Sequence, residues 1–515
     1  MAMPKAPPTN AFGRLIAKLS KATSEERENI EHELPFVVMI FTLLAASGVS
    51  PYDSWKKLRK LSFLPTFKKE ADEIVRQVEV LGKDPLTVMR LRGEHTDSKL
   101  YRNFLGGFVS SAHSGGRMVD YLKSELKTIF ELRHGEITRS VEKIATLVEA
   151  YTVMLIVVLC VYILFVVFSS TNTLDALGGM ALPSSDIMTY LIAFLFMPVL
   201  SCIFILVAHN MQKSAFSNLK DLYKKAVIIL AVAAAVILAV AFVPGLTDAI
   251  QPAGLPEVIT IGLVVSSAIP AIQYRKIASV NYNAEDVIPY FIRDITESHK
   301  IGLSPEKSII QATKRKSYGN FSKFLELMRS QIEWGVPIRK TFTNLRKEIR
   351  SWFVTINFAM MIETIEIGGN SAESLEILAE YSEKEREQQI NKRGLLKPYI
   401  FLALIWSVLI AVTTVIVSLT TTMMTGIAGA GLSDVANYAM QENLRIFSVG
   451  IILQCWISGF FIGKISEGNF GAGFQYSALL GLTAYVSLVL SQQLLSGMFG
   501  FVPAGALNPS GGGIV

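Results

Sequence analysis

Cysteine is scarce in this chain of 515 residues: Cys160, Cys202 and Cys455 are the three present, each inside an apolar run. No CxxC pair occurs, so a zinc ribbon, a thioredoxin-like site and a disulfide scaffold have no support. Small packing residues are the expected role of all three. Charge is also scarce, at 18% of residues against roughly 25% in soluble domains. The usual marks of catalysis are missing. No GxxxxGK[ST] phosphate loop exists, and the nearest string, Gly459-Phe-Phe-Ile-Gly463-Lys464, has the wrong spacing. HExxH and GxSxG are absent, and the six histidines show no ligand spacing. Neither an enzyme nor a metal or cofactor site is expected. Strand signals are nearly absent too.

Apolar residues, in contrast, make up 51% of the chain, and the mean hydropathy is +0.40. A bilayer span needs roughly 20 mostly apolar residues. Seven are read: 151–168, 187–208, 226–243, about 258–272, near 398–419, 446–463 and near 476–495. The second contains Pro198, a kink signal, and the fourth is short and contains Pro270. The expectation is an all-α polytopic membrane protein.

Basic residues cluster. Of 49 Lys and Arg, 23 lie in 1–147 and 20 in 274–397. The loop between spans two and three holds Lys213, Lys220, Lys224 and Lys225, and Lys464 follows span six. The segments 169–186 and 244–257 hold none. By the positive-inside rule both charged blocks are cytoplasmic and the C-terminus is outside. The expected organisation is a tail with the start of an amphipathic helix (1–29), a cytoplasmic helical bundle (30–147), spans one to four (148–273), a second bundle (274–397), spans five to seven (398–497) and a Gly-rich outer tail (498–515).

The two charged blocks are copies of one another. LPFVVMIFTLLAASGVSP (34–51) and IPYFIRDITESHKIGLSP (288–305) match at Pro35/Pro289, Thr42/Thr296, Gly48/Gly302, Ser50/Ser304 and Pro51/Pro305, an offset of 254. These residues punctuate helices: Pro at a first helical position, Gly in a left-handed stop, Ser as N-cap and Pro as the next first residue. Gly82-Lys-Asp-Pro85 and Gly335-Val-Pro337 again stop one helix and start another. Gly115-Gly116 and Gly368-Gly369, at an offset of 253, precede the polar helices 118–145 and 371–393. Each glycine pair either lets helices pack closely or makes a turn. Two homologous helical bundles follow, each leading into a span.

Basic clusters stand at Lys56-Lys57-x-Arg59-Lys60, Lys314-Arg315-Lys316 and Arg346-Lys347-x-x-Arg350. They are either solvated helix faces in contact with anionic lipid, or docking sites for an acidic protein surface. Interspersed acids argue against nucleic acid.

The Gly-x-Ser-Pro hairpin, the later Gly…Pro start and the Gly-Gly before the last helix, occurring twice and each time followed by a span, resemble the type II secretion system F domain family. The likeness covers 30–170 and 285–420. Bacterial members often carry Gly-Glu-x-(Ser/Thr)-Gly at the glycine pair. Here Glu366 keeps the acid, and His113 replaces it in the first copy. Four spans between the copies and three after them are similar to the archaeal branch. The resemblance implies a plasma-membrane platform protein of a type IV pilus, archaellum or secretion machine. Its partners would be a cytoplasmic secretion ATPase, docked on the basic clusters, and pilin- or archaellin-like subunits, with a homodimer expected. A transporter or channel with cytoplasmic helical domains is the alternative.

Overall fold

The computed structural model describes residues 11–61, 63–114, 118–170, 191–212, 219–242, 255–314, 318–346, 349–367, 371–428 and 433–499. No strand is present among them. The helices in chain order are α1 (Ala11–Ala46), α2 (Pro51–Arg59), α3 (Pro65–Glu79), α4 (Pro85–His95), α5 (Lys99–His113), α6 (Met118–Ser170), α7 (Met197–Met211), α8 (Lys220–Phe242) and α9 (Leu255–Lys300). They continue with α10 (Pro305–Thr313), α11 (Ser322–Glu333), α12 (Ile338–Leu345), α13 (Trp352–Ile367), α14 (Ser371–Leu396), α15 (Pro398–Ala428), α16 (Ser433–Glu467) and α17 (Phe470–Phe499). The chain divides into two compact units. One comprises 1–137 with 281–388, and the other 138–280 with 389–515. Helices α6, α9 and α14 contribute residues to both.

The first unit holds both sequence copies, and their opening turns repeat bond for bond. Gly48 (φ 79°) and Gly302 (φ 90°) adopt the left-handed conformation. Val49 N–H donates to the Leu44 carbonyl and Gly48 N–H to Ala45. Leu303 N–H donates likewise to Ser298, and Gly302 N–H to His299. These are paired Schellman closures, which satisfy carbonyls that a helix end otherwise leaves open. Ser50 then caps α2 through Asp53 N–H, and Ser304 caps α10 through Lys307 N–H, with Pro51 and Pro305 at the helix starts. The buried Thr42 and Thr296 hydroxyls each donate to the carbonyl four residues back, at 2.8 Å in both copies.

One part of the punctuation reads differently in three dimensions. Pro35 and Pro289 do not start helices; they lie inside α1 and α9. Helix formation therefore runs through them, so the fourth span and the first helix of the second copy are one continuous helix. An internal Pro costs about 3 kcal/mol. In α1 that cost is offset by burial on every side, because Leu34, Phe36 to Phe41, Leu43 and Leu44 are all buried.

Hydrophobicity all around a helix marks it as a core element. Helix α1 and helix α13, where Phe353, Val354, Ile356 and Phe358 to Ile362 are buried, play that role. Their counterparts in the other copy, the end of α9 and α5, are amphipathic and keep an exposed face, Tyr290 being 49% exposed. A single hydrophobic core includes residues from both copies. The residues 26–46 are long and apolar enough to cross a bilayer, yet from Glu33 to Leu44 they are buried within this unit.

Among the described residues, seven further helices meet that length and composition standard, within 118–164, 192–211, 220–239, 256–300, 372–417, 447–467 and 470–494. They coincide with the seven spans read from the sequence, and the chain is a multi-pass membrane protein. Before Pro198 the backbone takes a π-helical turn, Ile192–Phe196, closed by Met197 N–H on the Ile192 carbonyl. This wider turn gives a local irregularity of the kind that accommodates a mid-span Pro.

Candidate functional site

In the first unit, α6 and α14 pack against one another. Lys123 Nζ meets Glu373 Oε1 at 2.7 Å, the Phe130 and Tyr381 rings stack at 4.5 Å, and Arg133 meets Glu385 at 3.5 Å. The contacts advance in the same direction along both helices, so the pair is parallel. Helix α6 is unbroken for 53 residues and runs through Gly135. Helix α14 ends at Leu396, and one residue later α15 begins at Pro398. Both parallel helices therefore lead from the duplicated unit into spans.

Each is held by an arginine at the same repeat position. Arg133 lies over the Phe36 ring at 5.2 Å and donates to the His32 carbonyl at 3.2 Å. Arg386 lies over the Tyr290 ring at 5.0 Å, bonds the Tyr290 hydroxyl at 2.9 Å and meets Asp286 at 3.4 Å. Arg133 and Arg386 are 253 residues apart, and Phe36 and Tyr290 are 254 apart. Each guanidinium thus stacks on an aromatic ring of its own copy's first helix and reaches the residue four positions earlier. The rest of the joint differs between copies. Trp352 packs edge-on against Phe36 at 4.6 Å and beside His32 at 5.0 Å, and the buried Ser374 hydroxyl lies 3.3 Å from the Leu43 carbonyl.

Tertiary caps fix the shorter helices. Helix α3 has no side-chain cap of its own. Glu33 of α1 supplies one, accepting from Thr66 N–H, Thr66 Oγ1 and Phe67 N–H at 3.1, 2.9 and 3.0 Å. Burial holds the Glu33 carboxyl above its usual pKa despite these bonds. In the second copy, Asn281 Oδ1 accepts from Arg350 N–H and Ser351 N–H at the start of α13.

Of the residues singled out from sequence, Gly48, Pro51, Gly302 and Pro305 occupy the expected turns. Gly115, Gly116, Gly368 and Gly369 lie outside the described residues, as do Arg315, Lys316 and Lys347. Lys56 and Arg59 are engaged by neighbouring α3, Lys56 with Glu79 at 3.4 Å and Arg59 with Asp72 at 2.6 Å. Lys57 is half-buried, and Arg350 donates its backbone N–H to Asn281. Lys60, Lys314 and Arg346 are exposed. They are the C-caps of α2, α10 and α12, where a cation favours the negative end of the helix dipole. Glu366 is bound by Arg339, which also takes Glu363 at 2.7 Å. That bidentate engagement holds the Arg339 guanidinium firmly protonated. Leu86, at the Arg339 offset of 253, makes no such bridge to His113.

In the second unit, the string Gly459-Phe-Phe-Ile-Gly463 is a close-packing stripe. A Cβ at Gly459 would strike the Ser477 backbone, and one at Gly463 the backbone of Ala472 and Gly473. Small residues four apart let α16 and α17 approach at backbone distance. A polar cluster links neighbouring helices. Tyr151 OH bonds Ser201 Oγ at 3.0 Å and Ser458 Oγ at 2.7 Å, and Gln454 Nε2 donates to Ser201 Oγ at 2.8 Å. Among the described residues, no group of three or more His, Cys, Asp or Glu is placed to hold a metal.

Sequence reading missed Arg133, Arg386 and Glu33. The first two carry a legible signal, since the repeat aligns both arginines and both rings. Glu33 carries none, because position 287 of the second copy is Val.

The family model of type II secretion system protein F matches the chain twice, at residues 38–166 and 291–418. An uncharacterized protein of Methanocaldococcus jannaschii is 22% identical over 492 residues, covering 90% of this chain and 80% of that protein. No solved structure matches. The two matches span about half of the chain, and each takes in one of the two arginine-held helices from its start; the protein belongs to the type II secretion system protein F family.

Proposed function

We propose that this chain is the membrane platform of a type IV pilus-like, archaellum or type II secretion machine. In this reading it joins a cytoplasmic hexameric ATPase to the assembly or rotation of a pilin- or archaellin-type filament. Proteins of this family serve in secretion and pilus-assembly platforms. The observation that carries the reading is the duplicated helical unit whose parallel helices α6 and α14 lead into spans. A load applied to the unit would reach the bilayer through those helices, and Arg133 and Arg386 would keep each one seated. The chain itself would do no chemistry. The lysine distribution supports a plasma-membrane protein with its duplicated unit in the cytoplasm and its C-terminus outside. A homodimer would present four such helices to a filament base.

Exposed features at equivalent turns support protein docking. Leu81 (62% exposed) and Trp334 (87% exposed) are 253 residues apart. Each directly precedes a left-handed glycine, Gly82 or Gly335. A solvent-facing Trp at a rigid turn is a common anchor at protein interfaces. Lys60 and Lys314, exposed and also equivalent, add charge at the matching helix ends.

The test is co-purification of the genome-neighbouring secretion ATPase with the full chain in nanodiscs. Lys60→Glu with Lys314→Glu, and separately Leu81→Ala with Trp334→Ala, are expected to weaken capture at least tenfold. Capture unchanged in both double variants removes these surfaces from the interface. Solute uptake into liposomes by the chain alone would favour a transporter instead.

A further inference from the structure

The turn between α16 and α17 encloses polar groups that the protein leaves incomplete. Lys464 lies three residues before the end of one apolar span, 447–467, and the next begins at Phe470. Its side chain is wholly buried. Nζ donates to the Gly468 carbonyl at 2.7 Å and sits 5.3 Å from the centre of the Phe470 ring. An ammonium carries three donors, so this carbonyl uses one. Among the described residues, no carboxylate stands within ion-pair distance of Lys464. Glu467, one turn on, accepts instead from Tyr274 OH at 3.1 Å and Tyr476 OH at 3.2 Å.

Directly after the bonded carbonyl comes Asn469. It too is wholly buried, and among the described residues neither its Oδ1 nor its Nδ2 has a partner. Gly468, at φ 74°, makes the bend that brings the lysine head and this amide to one turn. A buried cation without a counter-ion and a buried amide without a bond are both strongly unfavourable. A water molecule would answer the amide but not the charge. A metal ion is disfavoured by the buried lysine. An oxyanion answers both, taking hydrogen bonds from the ammonium and from Nδ2. Oδ1 remains to accept from a hydroxyl or water beside the anion. The turn joins two spans, which places it at the depth of lipid phosphates.

We propose that the α16–α17 turn binds a phosphate-bearing anion through Lys464 and Asn469. The ligand is either the phosphate of a lipid headgroup or free phosphate, and the experiment separates them. The full chain is purified in phosphate-free buffer and detergent. Its thermal midpoint is followed on adding phosphatidylglycerol, a galactolipid without phosphate, or inorganic phosphate. A saturable rise with phosphatidylglycerol alone assigns the lipid phosphate. An equal rise with inorganic phosphate supports the same site with a free anion. In either case the rise is lost in Lys464→Met and in Asn469→Leu and kept in Lys464→Arg. Asn469→Leu guards against misfolding, because it replaces an unsatisfied amide by an apolar group of similar volume. If that variant folds and still responds as the wild type does, the proposal is overturned. No response of the wild type to either phosphate source overturns it as well, as does an equal response to the galactolipid.

Discussion

Replacing Arg133 by Met keeps most of the buried stem of the side chain and removes its charge. The bond to the His32 carbonyl, the contact with the Phe36 ring and the pair with Glu385 are lost together. A desolvated cation–ring contact is worth about 1–2 kcal/mol, and a charged hydrogen bond about 1.5–3 kcal/mol. Glu385 is 6% exposed, and among the described residues its Oε2 has no partner even in the wild type. Stranding that carboxylate brings the loss to about 3–5 kcal/mol, the range for breaking a buried pair. Arg386→Met removes the equivalent seat, but Asp286 and Tyr290 are about half exposed. Water replaces much of what is lost there, and the expected cost is about 0.5–1.5 kcal/mol. The prediction is therefore an unequal response from two equivalent positions. Backbone hydrogen exchange of the full chain in detergent reads it directly, because opening free energy sets protection. Amides of residues 118–137 are expected to exchange about a hundredfold to a thousandfold faster in Arg133→Met, at 1.4 kcal/mol per tenfold. In Arg386→Met, residues 371–388 are expected to change by about tenfold or less. Adding Glu385→Gln to Arg133→Met should recover about 1–3 kcal/mol by removing the stranded charge. Equal costs at the two arginines, or no recovery from Glu385→Gln, would refute the seating argument.

The Glu33 cap gives a prediction with a pH sign. Glu33→Ala uncaps α3 and leaves the N–H groups of Thr66 and Phe67 unsatisfied, a loss of about 2–4 kcal/mol measurable as faster exchange at those two amides. Burial raises the folded pKa of Glu33 above the unfolded value. The stabilising contribution is thus complete below about pH 4.5 and declines as pH rises through the folded pKa. Glu33→Gln, which keeps one acceptor and carries no charge, should lose that pH dependence; wild-type and Gln curves that stay parallel from pH 4.5 to 7 would contradict it. In the membrane unit, Gly463→Leu must push α17 off α16 and should cost about 3 kcal/mol or more by overpacking. An unchanged thermal midpoint in detergent would show that the two helices are not held at backbone distance.

Much of this protein was legible before any fold was known, and the reasons are local. Seven apolar segments predicted seven spans, because the bilayer imposes a minimum length on any helix that crosses it. The Gly48-x-Ser50-Pro51 and Gly302-x-Ser304-Pro305 turns were readable because left-handed glycine, serine caps and proline starts act within a few residues. Pro35 and Pro289 misled for the complementary reason. Their local preference to start a helix was outweighed by burial and by helical segments on both sides. The basic clusters were visible as charge, but only packing revealed that Lys56 and Arg59 already answer Glu79 and Asp72 on α3.

What depended on tertiary structure was every pairing between distant positions. Composition shows that 34–46 and 352–367 are more apolar than their repeat counterparts, and so which helices must be buried. It does not show that they meet in one core shared by both copies. Nor does it show that Glu33 caps a helix some thirty residues on, or that Arg133 sits on Phe36. Periodicity and caps are properties of a short stretch of chain, and the sequence determines them directly. A buried charge acquires its partner, or goes without one, only when the folded chain brings separate segments within a few ångströms.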